Sequence, residues 1–464
     1  MDAACQSLYH VTVLSNFARG FDKYTRRYRK TCIPESTYPN ESYLLAKPDL
    51  GVGIAKASKL RDKLRIPGDE LLALQAAVSH TSVLPNLRNG LGVIWPSPDL
   101  PVSGVFRLDP AGKLGAALGL EEAMAKSLDL HAGTFTPYPD IRPRSLSFLP
   151  IARGCQAACP FCFSEASVSV DQPQVKFDLE RARAWIEPAR LRGAERAVIT
   201  GGGEPTLLPR RQLVQLVNAC RTGFRKVVLI TNGVRLALSP ASEAAAQLCE
   251  LHNTGLSVLA VSRHHHRENV NAKLMNLESR TPALLRVFAD IRDALPGMRL
   301  RLICVLQRSG VESVGGIQDY VDWAASFGVD EVCFKELYVS TSGESVYYSR
   351  NANAWSAKNQ VSLSIVCDWA EQKGFDIVDR LPWGAPIFGG SIGSRSIRIA
   401  AYTEPSLFWE RSTGLARSWN VMSDGMCLAS LEDRRSALNL STVAERIDGL
   451  TRKHNDSVSG YGLQ

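Results

Sequence analysis

The sequence predicts an α/β chain. The expected fold is a partial (β/α)6 barrel of the TIM type, with an N-terminal extension or domain and a small β-containing C-terminal region. Three observations predict it. From about residue 147, short apolar runs alternate with helical patterns, and such alternation implies right-handed crossovers and a parallel sheet. Six strand–helix units follow one another, where a closed barrel takes eight. The 464 residues are 45% hydrophobic and 22% charged, near globular norms of about 45–50% and about 25%, so the chain can bury a core of barrel size.

The elements run in this order. SFLPIAR (147–153) reads as the first strand, and DLERARAWIEPARLRG (178–193) as a helix. ERAVITG (195–201) is a short apolar run ending in glycine, the pattern of a buried parallel strand. RRQLVQLVNACRT (210–222) has helical periodicity, and KVVLITNG (226–233) is a strand closed by a turn. ASEAAAQLCELH (241–252) is helical, GLSVLAVS (255–262) the fourth strand, and TPALLRVFADIRDAL (281–295) a helix. MRLRLICVLQ (298–307), GGIQDYVDWAASFG (315–328) and DEVCFKELY (330–338) supply the fifth strand, a helix and the sixth strand. NAWSAKNQVSLSIVCDWAEQKG (353–374) is expected to close the side as one helix.

This divides the chain into 1–146, 147–375 and 376–464. The first segment is less regular. DELLALQAAVSH (69–80) looks helical, while PSPDLPVSG (96–104) and TPYPDIRPRS (136–145) are proline-rich connectors. The last contains SRSIRIAAYT (394–403) and RSWNVMSDGMCLASLED (417–433). In the second of these, Asp424–Gly425 lies between two semi-apolar runs, a hairpin signal, and the region is expected to cover the barrel mouth.

No apolar run reaches the roughly 18–20 residues that a membrane helix needs. The N-terminus lacks the basic-then-apolar order of a signal peptide. The expected location is the cytoplasm. Net charge is +8, a mild excess. The run Arg19 to Lys30 carries six basic residues and reads first as a solvated helix face, with nucleic acid or an acidic partner as the alternative.

Eleven cysteines are present. Cys5, Cys32, Cys220, Cys249, Cys304, Cys333, Cys367 and Cys427 stand singly, mostly in apolar surroundings, where free thiols act as small hydrophobes. Cys155, Cys159 and Cys162 crowd into GCQAACPFCFSE (154–165). Thiolates select zinc, copper(I) or iron–sulfur clusters. Three ligands without an adjacent fourth do not make a closed structural zinc site. On a cubane, three thiolates leave one iron open to another ligand.

This C-x-x-x-C-x-x-C spacing, with Phe161 just before the last cysteine, resembles the signature loop of the radical S-adenosylmethionine (SAM) superfamily. GGGEPTL (201–207), after the second strand, resembles that family's Gly-Gly-Glu-Pro motif. Glycines allow close backbone approach, and a carboxylate can accept from an ammonium. ITNG (230–233) is similar to Thr-Asn-Gly turns in many relatives, and the Ser262–Arg263 pair in AVSRHHHRENVNAKLMN resembles the Ser-x-[Asp/His] segment of the molybdenum-cofactor-biosynthesis-like branch.

The resemblance spans about 147–340. It implies one [4Fe–4S] cluster on Cys155, Cys159 and Cys162, and SAM held by Gly202, Gly203, Glu204 and Pro205. Phe161, Ser262, Arg263 and Val305 are further SAM candidates. It also implies reductive cleavage of SAM to a 5′-deoxyadenosyl radical that abstracts hydrogen from a substrate carbon. A one-electron reductase such as flavodoxin or ferredoxin is the implied partner. The expected substrate is a small metabolite of amino acid, sugar or nucleoside type. A ribosomal peptide or an RNA is the alternative, and an iron–sulfur electron-transfer protein is the reading outside enzymology.

Four features remain. His264, His265 and His266 are expected to diverge in a loop at the barrel mouth, one of them facing substrate. Lys335 and Glu336 end the sixth strand and read as substrate or SAM contacts or as an ordinary ion pair. Tyr338, Tyr347 and Tyr348 read first as core or surface packing, with lining of the barrel mouth as the alternative. Cys427 is the candidate catalytic residue, a hydrogen donor, set against a buried bystander thiol.

Overall fold

The computed structural model describes residues 92–94, 104–106, 136–171, 175–340, 345–382, 385–405 and 407–459. The helix read at 69–80, the basic run 19–30, Cys5 and Cys32 lie outside them. The described residues fall into two compact units. One holds 136–303, 327–329 and 413–459; the other holds 304–326 and 330–412 with the antiparallel strands Gly92–Ile94 and Gly104–Phe106. This division cuts across the 147–375 and 376–464 segments.

In the first unit, Ser145–Phe148, Arg196–Ile199, Lys226–Thr231 and Val258–Ser262 pair in parallel succession, followed by the start of Arg299–Leu306. The register runs Val198↔Val228, Ile230↔Ala260 and Ala260↔Arg301. Val228, Val258 and Ala260 form a core cluster with Val198, Ile230 and Ile303 against it. Ala197, Ile199, Val227, Leu229, Leu259 and Val261, alternate in sequence with that set, are also fully buried. Burial on both faces is what a parallel sheet under crossover helices requires.

The helices supply the cover. Arg210–Gly223 buries Leu213, Leu216, Val217 and Cys220, and Ala241–Thr254 buries Ala244, Leu248 and Leu251. These are single faces at helical spacing. Each fully buried leucine contributes about 1.5–3 kcal/mol. The helix read over 178–193 is two short ones, Leu179–Arg183 and Ile186–Leu191. Pro188 explains the break: its ring clashes with the carbonyl four residues earlier, at Ala184, and it has no N–H to donate.

Residues 413–459 belong to this unit because Trp419–Val421 pairs in parallel with Ser145–Phe148, beside the first strand. The expected hairpin is present: Trp419–Val421 lies antiparallel to Cys427–Leu428, with Gly425 at φ 82° in the turn. Only glycine adopts that backbone without strain. Trp185 Nε1 donates to Gly425 O at 3.1 Å and fastens the turn to the first helical pair.

In the second unit, the sixth strand Glu331–Glu336 pairs in parallel with Arg395–Tyr402. That strand continues antiparallel into Pro386–Ile392 and Asp376–Arg380. The helix Val314–Ser326 covers one face, where Tyr320 meets Phe334 edge-on at 5.5 Å. The helix read over 353–374 is divided into Asn351–Asn359 and Ser364–Gln372. Between them Gln360 leaves the helix: it bridges to Gln307, and its amide donates to Leu337 O at 2.9 Å. Among the described residues no helix is long and apolar enough to cross a membrane.

Candidate active site

The site is built where three strand ends of the first unit meet the cysteine loop. Gly203 N donates to Ile151 O and Glu204 N to Gly154 O, both at 2.8 Å. Ser164 Oγ, just past the cysteines, donates to Gly201 O at 2.7 Å. The glycine turn and the cysteine loop are therefore one hydrogen-bonded piece. Glycine is obligatory here for space. A Cβ on Gly203 would lie 2.0 Å from Gly154 O, and one on Gly202 would lie 2.6 Å from Ala152 O.

Glu204 is 3% exposed. Its Oε1 accepts from Thr206 N (3.0 Å), Thr206 Oγ1 (2.7 Å) and Thr231 Oγ1 (2.5 Å), and its Oε2 accepts from Asn232 N (2.8 Å). The carboxylate joins the second-strand turn to the end of the third strand. A carboxylate has about four lone-pair positions, so Oε2 has room for one further donor such as an ammonium. Pro205 is buried and opens the short 3₁₀ turn Pro205–Leu207.

Asn232 carries the connection to the thiols. Its Nδ2 donates to Gln156 Oε1 at 2.9 Å and approaches Cys155 Sγ at 3.5 Å, while Oδ1 accepts from Val234 N. Ala157 N also points to Cys155 Sγ, at 3.4 Å. Cys155 is exposed, Cys159 and Cys162 half-buried, and no described cysteine is in a disulfide. The Cys159 thiol points to Met275 O at 3.9 Å, and Ala158 N donates to the same carbonyl at 3.0 Å.

Three soft donors on one loop, with N–H groups directed at a sulfur, fit an iron–sulfur cluster, whose potential such bonds tune. Among the described residues no three His, Cys, Asp or Glu side chains converge on a single metal ion. A cubane is ligated corner by corner, one thiolate to each iron, so its ligands need not share one ion.

The other candidates are placed as follows. Phe161 meets the His264 ring edge-on, centroids 5.1 Å apart at 79°. Ser262 ends the fourth strand and pairs with Ile303. Arg263 is fully buried. Its Nε donates to His265 O (2.6 Å), Nη1 to Glu268 Oε2 (2.6 Å) and Ser279 Oγ (3.3 Å), and Nη2 to His266 O (2.9 Å). Every guanidinium nitrogen is thus engaged by the loop that follows. Val305 lies in the second unit, 8% exposed, and its carbonyl accepts from Gln307 Nε2.

Lys335 forms an ion pair with Glu404, while Glu336 is 1% exposed. Tyr338 and Tyr347 are buried with rings 5.5 Å apart, and Tyr348 is exposed. Cys427 is fully buried in the hairpin, and burial pushes its thiol well above the ordinary value despite a hydrogen bond from the Asn420 backbone. The three histidines do not simply diverge. His265 and His266 rings lie 4.4 Å apart, because Arg263 draws both of their carbonyls to one side.

Sequence reasoning assigned no role to Thr231, Asn232, Asn271 or Met275. For Thr231 and Asn232 the signal was available in the ITNG turn. For Asn271 and Met275 nothing local marks the contact.

Residues 149–312 match the family model described as Radical SAM superfamily. The chain is 26% identical over 221 residues to the Sulfolobus acidocaldarius protein named "Probable GTP 3′,8-cyclase", a match that covers 45% of this chain and 62% of that protein. Among solved structures, it resembles Streptococcus suis SuiB bound to precursor peptide SuiA at 16% identity and TM-score 0.43, covering 67% of this chain and 64% of that one. It also resembles coproporphyrinogen III oxidase from Escherichia coli at 13% identity and TM-score 0.34, covering 54% and 56%. The chain spans less than two thirds of the length of each of these three proteins.

Proposed function

We infer, for a chain whose residues 149–312 are a domain of the Radical SAM superfamily, an enzyme that acts on a small metabolite. A [4Fe–4S] cluster on Cys155, Cys159 and Cys162, reduced by an external one-electron donor, would supply the electron that splits SAM into methionine and a hydrogen-abstracting 5′-deoxyadenosyl radical. The observation that carries the reading is the physical union of the two motifs: Gly203 N to Ile151 O, Glu204 N to Gly154 O, and Asn232 beside Cys155.

The chain's own residues act by holding. Cys155, Cys159 and Cys162 bind iron. Gly202 and Gly203, lacking side chains, let a ligand approach the backbone. Glu204 Oε2 accepts from the SAM amino group, and Thr206, Thr231 and Asn232 keep the carboxylate aimed before SAM arrives. Such preorganisation removes the cost of orienting a polar group at the moment of binding. Val228, Val258 and Ala260, with Val198 and Ile230 packed against them, give these strands an apolar lining.

A nucleoside-type metabolite is the first substrate to test, since the curated relative carries the name of a GTP cyclase. The experiment is anaerobic reconstitution with dithionite, SAM and deuterated candidates. Deuterium appearing in 5′-deoxyadenosine identifies the substrate. Colour change with no 5′-deoxyadenosine would mark an electron-transfer protein instead and overturn the reading.

A further inference from the structure

The histidine run takes no part in the function just proposed. We propose that His264 is a positioning residue: its ring fixes Phe161, and through Phe161 the cysteine loop, for SAM binding. This rests on the proposed function and deepens it.

Phe161 sits between Cys159 and Cys162, directly before the second of them. The Phe161 ring meets the His264 edge at 5.1 Å and 79°, the T-shaped geometry that aromatic quadrupoles favour. His264 is 3% exposed and cannot swing away into solvent. Its backbone N donates to Asn271 Oδ1 at 2.7 Å. Asn271 is fully buried, and its Nδ2 reaches Met275 Sδ at 3.4 Å and Ser279 Oγ at 3.3 Å.

The same helix, Glu268–Met275, returns to the cysteine loop from its other end. Met275 O accepts from Ala158 N at 3.0 Å, and the Cys159 thiol points to it. Arg263 locks the start of the segment through Glu268 and Ser279. The stretch 263–279 is therefore a brace that touches the cysteine loop twice, at Phe161 and at Ala158–Cys159. His265 and His266 stack on each other, and His265 Nδ1 is occupied by Arg267 N.

The test compares His264→Ala, His264→Phe and His264→Gln with the wild type after anaerobic reconstitution. The measurements are iron and sulfide content, SAM affinity by calorimetry, the EPR spectrum of the reduced cluster with and without SAM, and KM for SAM against kcat. His264→Ala and His264→Gln are expected to keep iron but bind SAM about tenfold more weakly, equivalent to about 1.4 kcal/mol, with an altered SAM-induced EPR shift. His264→Phe, which restores a ring, is expected to recover affinity to within about threefold, the usual scale of an aromatic exchange. If His264→Ala loses its iron, the contrast of Gln with Phe decides. Unchanged SAM affinity and EPR shift in the ringless variants, or rescue by Gln and not Phe, would overturn the positioning role alone. Wild-type protein that takes up no cluster would overturn the proposed function first.

Discussion

The glycine turn at 201–207 and the cysteine loop at 154–165 lie side by side but are built in opposite ways. The turn centres on a carboxylate, Glu204, that is 3% exposed and accepts four hydrogen bonds from three residues. The loop carries an exposed Cys155 and two half-buried thiols, and its fixed points are backbone groups and the Phe161 ring. The turn's carboxylate is held by the folded protein itself. The loop offers soft donors at the surface of a scaffold that the turn makes rigid. Stability and chemistry are thus separated over a few ångströms, and substitutions should separate them too.

The sharpest break should come from the loop. Replacing Cys155, Cys159 or Cys162 by alanine is expected to abolish iron retention and lower 5′-deoxyadenosine formation at least about a hundredfold, as loss of a group that acts as a unit does. Stability of the metal-free protein should change by no more than about 0.5 kcal/mol, as at other accessible positions. Iron analysis with thermal melts checks both. Retained turnover in any of the three would end the separation.

The turn should show the reverse order of effects. Glu204→Ala leaves buried donors of Thr206, Thr231 and Asn232 unpaired, at a cost of about 3 kcal/mol or more. Thr231→Val removes one donor and should cost about 1 kcal/mol. Denaturant unfolding of the metal-free protein measures both. A Glu204→Ala protein as stable as the wild type would mean that the hub is not structural.

An effect smaller than that of Glu204→Ala is electrostatic and lies outside both stretches. Burial pushes the Asp433 carboxyl up, but hydrogen bonds from Arg435 and from Tyr138 (2.5 Å) outweigh it and hold it below the ordinary value. A carboxyl whose folded pKa is depressed stabilises at pH above its unfolded value, about 3.9. That contribution is lost as pH falls through the folded value. Asp433→Asn is expected to cost about 2 kcal/mol at pH 7, with the difference from wild type shrinking below about pH 4. Melts between pH 7 and pH 2.5 check this; a constant difference would show that charge is not the cause.

Much of this was legible in the sequence, and the remainder failed for identifiable reasons. The six strands announce themselves as apolar runs because both of their faces are buried, as at Val227–Leu229 and Leu259–Val261. The two motifs are local and could be read directly. Pro188 lies within the stretch 178–193 that reads as one helix, and the structure divides that stretch in two. The pairing of Trp419–Val421 with the first strand, and of Arg395–Tyr402 with the sixth, depends on partners hundreds or tens of residues away. No local period encodes them. Arg263 stands at a strand end, where an arginine reads as a ligand contact. Its engagement by His265, His266, Glu268 and Ser279 emerges only once the loop is folded.

The most direct test is the EPR spectrum of oxygen-protected, dithionite-reduced protein, recorded before and after adding SAM, with product analysis of the same sample. The account predicts a reduced [4Fe–4S] signal that changes on SAM addition, accompanied by 5′-deoxyadenosine and methionine. Protein that holds zinc instead of iron and sulfide, or a cluster signal indifferent to SAM with no 5′-deoxyadenosine formed, would contradict it.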